Sequence, residues 1–237
     1  RTLDCSNTYD RISISGDKQY FFPGDYDGDG ATDFVTILGS GLGFKVFLSF
    51  PRTGVMNKDV TGGCYVSGVW LGADYHNIID FNGDGKSELM LTKDSETKIF
   101  SFDLTWNNNW ESTQRFAGGF PTKWHLLYVG DLNGDGKTDI LSRTSTSNNN
   151  NPWYKSISTG TGFVETPFSF NHTPDITGLS SDDKLVISDY NGDGKADIFH
   201  AWDYFVNGSA STSRLDLYYS KGDDFYYLQH VNNKVLG

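Results

Sequence analysis

The chain has 237 residues and a mass of 26.4 kDa, enough for one β domain with a sizeable core. Its formal net charge of −11 argues at face value against nucleic acid or anionic membrane as a partner, and no apolar run approaches the length of a membrane span. An aromatic content of 15% and 27 glycines suit many short strands joined by tight turns.

The chain opens at Arg1 with no initiator Met and no signal peptide, so it reads as a mature product or an excised piece of something longer. Residues 1–17 are a polar lead-in whose RISIS segment alternates and could form one strand, either the closing strand of a ring or the last strand of a preceding blade. The domain proper, 18–237, falls into four repeats at about 18–63, 64–120, 121–174 and 175–237. The first offers the strand-like runs QYFFPGD, TDFVTIL, FKVFLSF and GVMNKDV, and the second IIDF, ELMLT, TKIFSFDL and WESTQRF. The third offers HLLYVGD, DILSR, WYKSIS and GFVETPFSF, and the fourth KLVISD, DIFHAW, RLDLYYS and DFYYLQHV. Four antiparallel strands per repeat predict an all-β propeller with four blades in this chain. The Asn-rich segments WNNNW and SNNNNPW fall between strands and read as solvated loops.

Between the first and second run of every repeat the chain writes one nine-residue loop: DYDGDGATD from Asp25, DFNGDGKSE from Asp80, DLNGDGKTD from Asp131 and DYNGDGKAD from Asp189. Positions 1, 3, 5 and 9 carry oxygen side chains. These are Asp25, Asp27, Asp29 and Asp33, then Asp80, Asn82, Asp84 and Glu88, then Asp131, Asn133, Asp135 and Asp139, then Asp189, Asn191, Asp193 and Asp197. A hard cation such as calcium takes about six to eight oxygen ligands, and alternate short carboxylates in a tight loop supply them. Position 6 (Gly30, Gly85, Gly136, Gly194) allows the sharp turn. Position 7 (Ala31, Lys86, Lys137, Lys195) varies in side chain, as expected if only its carbonyl coordinates. Plain Asx and Gly turns are the competing reading. A turn needs no carboxylate at position 9, however, and stacked carboxylates without a cation repel one another. The expectation is four calcium sites.

A helix–loop–helix calcium site is excluded, because its bidentate Glu at position 12 is replaced by Thr36, Leu91, Ser142 and His200. The loops hold thirteen of the thirty acids, and four divalent ions would bring the charge from −11 to about −3. The acidity therefore says little about a partner. Cys5 and Cys64 read either as two buried thiols or as a disulfide tying the lead-in to the first repeat. Asn171 and Asn207 begin glycosylation triplets, which matter only in a host that glycosylates.

The D-x-[DN]-G-D-G-x-x-[DE] loop between two strands, with trailing segments such as STGTGF and YSKGDDF, resembles the FG-GAP/VCBS repeat. That repeat builds integrin alpha-subunit propellers, certain lectins and the propellers of bacterial RHS and toxin-complex proteins. The resemblance implies side-chain ligands at positions 1, 3, 5 and 9 and the carbonyl at position 7 in each loop, with Glu88 departing in kind from Asp. Four blades could close alone, pair with another copy, or belong to a larger propeller.

No G-x-S-x-G elbow, H-E-x-x-H or phosphate loop occurs, the five histidines have no ligand spacing, and the Gly39–Gly43 run reads as a turn. No enzyme is expected. The expected role is a calcium-stabilised extracellular recognition, adhesion or scaffold module, secreted or at the cell surface, with a protein or glycan ligand on a propeller face and no nucleic acid or membrane insertion. The alternatives are a glycan-binding lectin and a carbohydrate-active enzyme using a carboxylate pair on that face. Trp106, Trp110 and Trp153, beside the Asn-rich loops, are the tryptophans expected to be exposed for such contacts.

Overall fold

A computed structural model of the chain describes residues 21–37, 43–49, 63–65, 73, 75–93, 96–104, 110–119, 126–143, 153–168, 184–206, 210–222 and 225–231. Among them are sixteen strands and no helix. The first sheet is built from β1 (Phe21–Gly24), β2 (Asp33–Ile37), β3 (Gly43–Phe47) and β4 (Gly63–Tyr65). The second holds β5 (Tyr75–Ile79), β6 (Glu88–Lys93), β7 (Glu96–Leu104) and β8 (Trp110–Gly119). The third holds β9 (Leu126–Gly130), β10 (Asp139–Arg143), β11 (Trp153–Ser158) and β12 (Phe163–Phe168). The fourth holds β13 (Lys184–Ser188), β14 (Asp197–Val206), β15 (Ala210–Ser220) and β16 (Phe225–Val231). Strands lie in sequence order within each sheet, as an antiparallel meander. The Asp-rich loop always joins the first strand to the second.

Apolar and β-branched residues on both sides of the second strand explain its burial. In β10 all five residues are buried, the pattern of a strand covered on both faces. The outer β12 alternates instead, with burial only at Phe168 and exposure at Val164. The GVMNKDV run lies outside the described residues, and the strand pairing with β3 is Gly63–Tyr65, astride the expected boundary at residue 63. RISIS, Cys5, Trp106, Asn171 and Asn207 also lie outside the described residues.

The chain divides into two compact units, residues 1–78 with 85–118, and residues 79–84 with 119–237. In the first unit, Phe22, Tyr26, Val35 and Phe44 of repeat one pack with Leu89, Leu91, Phe100 and Phe102 of repeat two. Phe44 meets Phe100 at 5.0 Å between centroids, and Tyr26 and Phe44 set their rings edge-on to Phe102 at 5.3 and 5.1 Å. Such pairs add about 0.5–1.5 kcal/mol each beyond burial. In the second unit, Leu132, Leu141, Trp153 and Phe168 of repeat three pack with Ala196, Ile198 and Tyr218 of repeat four.

The repeats approach closely where each loop begins. A Cβ on Gly130 would lie 2.9 Å from Ala196 Cβ and 2.9 Å from Ile187 Cγ2. Gly130→Ala is therefore expected to lower unfolding stability by about 1–3 kcal/mol, measured by urea denaturation.

Candidate metal centres

Each loop is wound round its first aspartate. Asp25 Oδ1 accepts the N–H of Gly28 at 2.8 Å and of Asp29 at 3.1 Å, and its Oδ2 accepts that of Gly30 at 2.8 Å. Asp131 does the same for Gly134, Asp135 and Gly136 at 2.7, 3.2 and 2.8 Å, and Asp189 for Gly192, Asp193 and Gly194 at 2.7, 3.2 and 2.9 Å. Asp80 accepts the N–H of Gly83 at 2.7 Å. These turns force positive φ at positions 4 and 6, for example 80° at Gly28 and 84° at Gly30, which glycine alone adopts without strain. Position 3 in turn accepts the N–H of position 5, as from Asp29 to Asp27 and from Asp193 to Asn191.

Position 9 has a different setting from positions 1, 3 and 5. Asp33, Asp139 and Asp197 are fully buried, and Glu88 nearly so. Asp139 Oδ2 accepts the Leu132 N–H at 2.9 Å and its Oδ1 the Ser158 N–H at 2.7 Å. Asp33 joins Tyr26 and Ser49 in the same way, and Asp197 joins Tyr190 and Ser220. The carboxylate thus ties the loop to the end of the third strand, while each oxygen keeps further acceptor capacity. Burial, with Asp135 and Asp131 nearby, pushes the Asp139 carboxyl up to about 6 against those two N–H bonds. Burial raises Asp33 as well.

The first loop carries the densest negative charge. One oxygen each from Asp25, Asp27 and Asp29 lies within 4.8 Å of the others. Partial burial, with Asp29 and Asp25 alongside, holds Asp27 above the usual carboxylate range. Three converging carboxylates on a preformed turn fit a hard divalent cation, which would relieve that repulsion. The other loops put Asn at position 3 and Lys at position 7. Lys137 Nζ lies 3.0 Å from Asp135 Oδ2, and Lys195 Nζ lies 3.5 Å from Asp193 Oδ2. Against the desolvation of its site, the Lys137 backbone and ammonium hold Asp135 below the usual range, and the Lys195 backbone N–H does so for Asp193. Counting charged side chains, loop one carries four acids and no base, and each other loop three acids and one lysine.

Sequence reasoning missed position 8. The Ser87 N–H donates to the Asp25 carbonyl at 2.7 Å, Thr138 to Asp80 at 2.7 Å and Ala196 to Asp131 at 2.6 Å. The Ser87 and Thr138 hydroxyls accept the N–H of Asp25 and Asp80 in return, both at 3.0 Å. Each of the last three loops is therefore bonded to the loop before it. The hydroxyl at position 8 in three of four loops was the available signal. Trp153 corrects another expectation: it is 6% exposed, beneath Arg143 and Tyr128, because it opens β11 on a face turned to the core. The side chain of Trp110 is not among those described.

Four-stranded antiparallel sheets in series, each with an Asp-rich loop between its first two strands, define a repeat protein of propeller-like class. The FG-GAP-like repeat model matches residues 80–142 and 131–200, about half of the chain, and the chain belongs to that family. No curated protein matches it. Among solved structures, it is similar to an Agrocybe aegerita lectin described as specifically recognising non-reducing terminal N-acetylglucosamine, with a TM-score of 0.58 and 18% identity. The match covers 90% of this chain and 52% of the lectin chain, so the chain spans about half that length. At this identity the likeness is one of fold.

Asp139 gives a pH test. Its folded carboxyl protonates at about 6 and an ordinary one at 3.8, so the folded state binds the extra proton between these values. That contribution to stability is complete below 3.8 and lost as pH rises through about 6. In chelator, urea stability is expected to rise from pH 7 to pH 5, and the rise to shrink in Asp139→Asn. In excess calcium the slope is expected to reverse, because metal ligands must be deprotonated.

Proposed function

We propose that this chain is a calcium-stabilised recognition module that works outside the cell and binds a glycan through its propeller-like repeats. The observation that carries the metal reading is the Asp25, Asp27 and Asp29 cluster on a turn already wound for it. The same frame recurs at Asp80, Asp131 and Asp189, so four ions are assigned. Positions 1, 3 and 5 would hold the ion, with the position 7 carbonyl and the carboxylate at position 9 completing the set. Bound calcium supplies charge neutralisation and cross-linking of the loop, and no chemical step is assigned to it. Extracellular calcium modules bind at roughly 10⁻⁴ to 10⁻³ M, and the extracellular setting is where sites of that affinity would be filled.

The glycan reading is supported by membership in the FG-GAP-like repeats and by the fold likeness to a lectin. It describes binding without catalysis.

At tenfold excess over the dissociation constant each site adds about 1.4 kcal/mol, or roughly 5–6 kcal/mol for four. Chelation is accordingly expected to lower the melting temperature by roughly 10–20 °C, followed by circular dichroism. An unchanged melting temperature would sink the calcium assignment. On a glycan array run in calcium, the chain is expected to retain a defined set of glycans and to lose it in chelator. Binding to none would leave a protein-binding scaffold as the reading.

A further inference from the structure

The four loops share one frame but differ in what already sits on the carboxylate at position 5. In loop three the Lys137 ammonium donates to Asp135 Oδ2 at 3.0 Å, and in loop four Lys195 Nζ lies 3.5 Å from Asp193 Oδ2. In loop two the Asn82 side-chain amide donates to Asp84 Oδ2 at 3.0 Å. Each of these carboxylates therefore gives one oxygen to a side chain of its own loop. In loops three and four that side chain is itself a cation.

The lysine stems are steadied from outside their own loops. A Cβ on Gly28, Gly83 or Gly134 would lie 3.2, 3.1 or 3.0 Å from Cγ of Lys86, Lys137 or Lys195, so each stem lies across the position 4 glycine of the preceding loop. A stem already laid down loses less freedom when its ammonium settles on a carboxylate.

Loop one has neither device. Asp27 stands at position 3, where the other loops have Asn, and an ionised carboxylate accepts but cannot donate. Ala31 stands at position 7, where the others have lysine. Asp29 accepts the Ala31 N–H at 2.8 Å and, among the described residues, meets no side-chain donor. Here alone among the described residues do three acidic oxygens lie within 4.8 Å of one another. Burial, with Asp29 and Asp25 alongside, keeps the Asp27 carboxyl above its usual range despite the charge of Lys86 nearby.

Resting on the calcium reading above, we propose that loop one is the tight calcium site and that the other three loops fill only at calcium concentrations about tenfold or more higher. Lys137 and Lys195 act as tethered cations that an incoming ion must displace from Asp135 and Asp193. Loop one holds no such cation of its own and offers four acids, against three acids and a lysine in each other loop. The affinity of an oxygen-ligand calcium site follows the charge of its ligands, so this difference orders the sites. The chain then answers calcium in two stages.

Calorimetric titration of the metal-free 237-residue chain with calcium chloride is expected to resolve one tight ion and three weaker ones. Ala31→Lys is expected to abolish the tight step, and Ala31→Met, which brings a stem without the charge, to keep it. Lys137→Met and Lys195→Met retain a stem over Gly83 and Gly134, and each is expected to tighten one weak ion by about tenfold. Asp27→Asn gives a second loop-one variant should Ala31→Lys fail to fold, with an unchanged circular dichroism spectrum in excess calcium as the check. Four equivalent ions in the unaltered chain overturn the ordering and leave the calcium reading standing, whereas no bound ion overturns both. A tight step that survives in folded Ala31→Lys or Asp27→Asn overturns the ordering too. Unchanged weak steps in both lysine variants overturn the part given to Lys137 and Lys195.

Discussion

The aspartate that begins each loop is the group on which the rest depends. Its side chain gathers up to three backbone N–H groups and so folds the loop, while in the first three loops its own carbonyl receives the N–H of the next repeat. One residue therefore fixes both the local turn and the step to the neighbouring sheet. Hydrogen bonds to a carboxylate are the stronger kind, each contributing about 1.5–3 kcal/mol. Because glycine occupies the two left-handed positions, the turn forms with little strain.

That arrangement divides labour within the loop. The buried carboxylate at position 9 belongs to the sheet, joining the loop to its own third strand. In the first loop the oxygens at positions 1, 3 and 5 converge near the surface, where a cation can reach them. Lysines at position 7 serve two ends as well, with an ammonium near a carboxylate of their own loop and an aliphatic stem over the previous one.

Much of this was legible in the sequence. Runs such as DILSR and ELMLT are too short and too apolar for anything but covered strands, and the loop motif fixed where each hairpin turns. The contacts between repeats were not legible, because Ser87 and Asp25 are 62 positions apart and no local pattern announces their bond. The strand Gly63–Tyr65 that pairs with β3 was not read from the sequence, because three residues starting with glycine carry no β pattern of their own. Trp153 was misread from its Asn-rich neighbours. Composition of a flanking loop says little about the first residue of a strand, whose direction is set by the pleat.

The joint between repeats three and four differs from the other two in one atom set. Ala196 supplies the N–H to Asp131 but has no hydroxyl to return a bond to the Asp131 amide, as Ser87 and Thr138 do for Asp25 and Asp80. In a repeat array each step between neighbours contributes its own interface to stability. At position 8 the step between repeats three and four therefore rests on one hydrogen bond where the two earlier steps have two, and the shared core of Leu132, Leu141, Ala196 and Ile198 carries more of that joint.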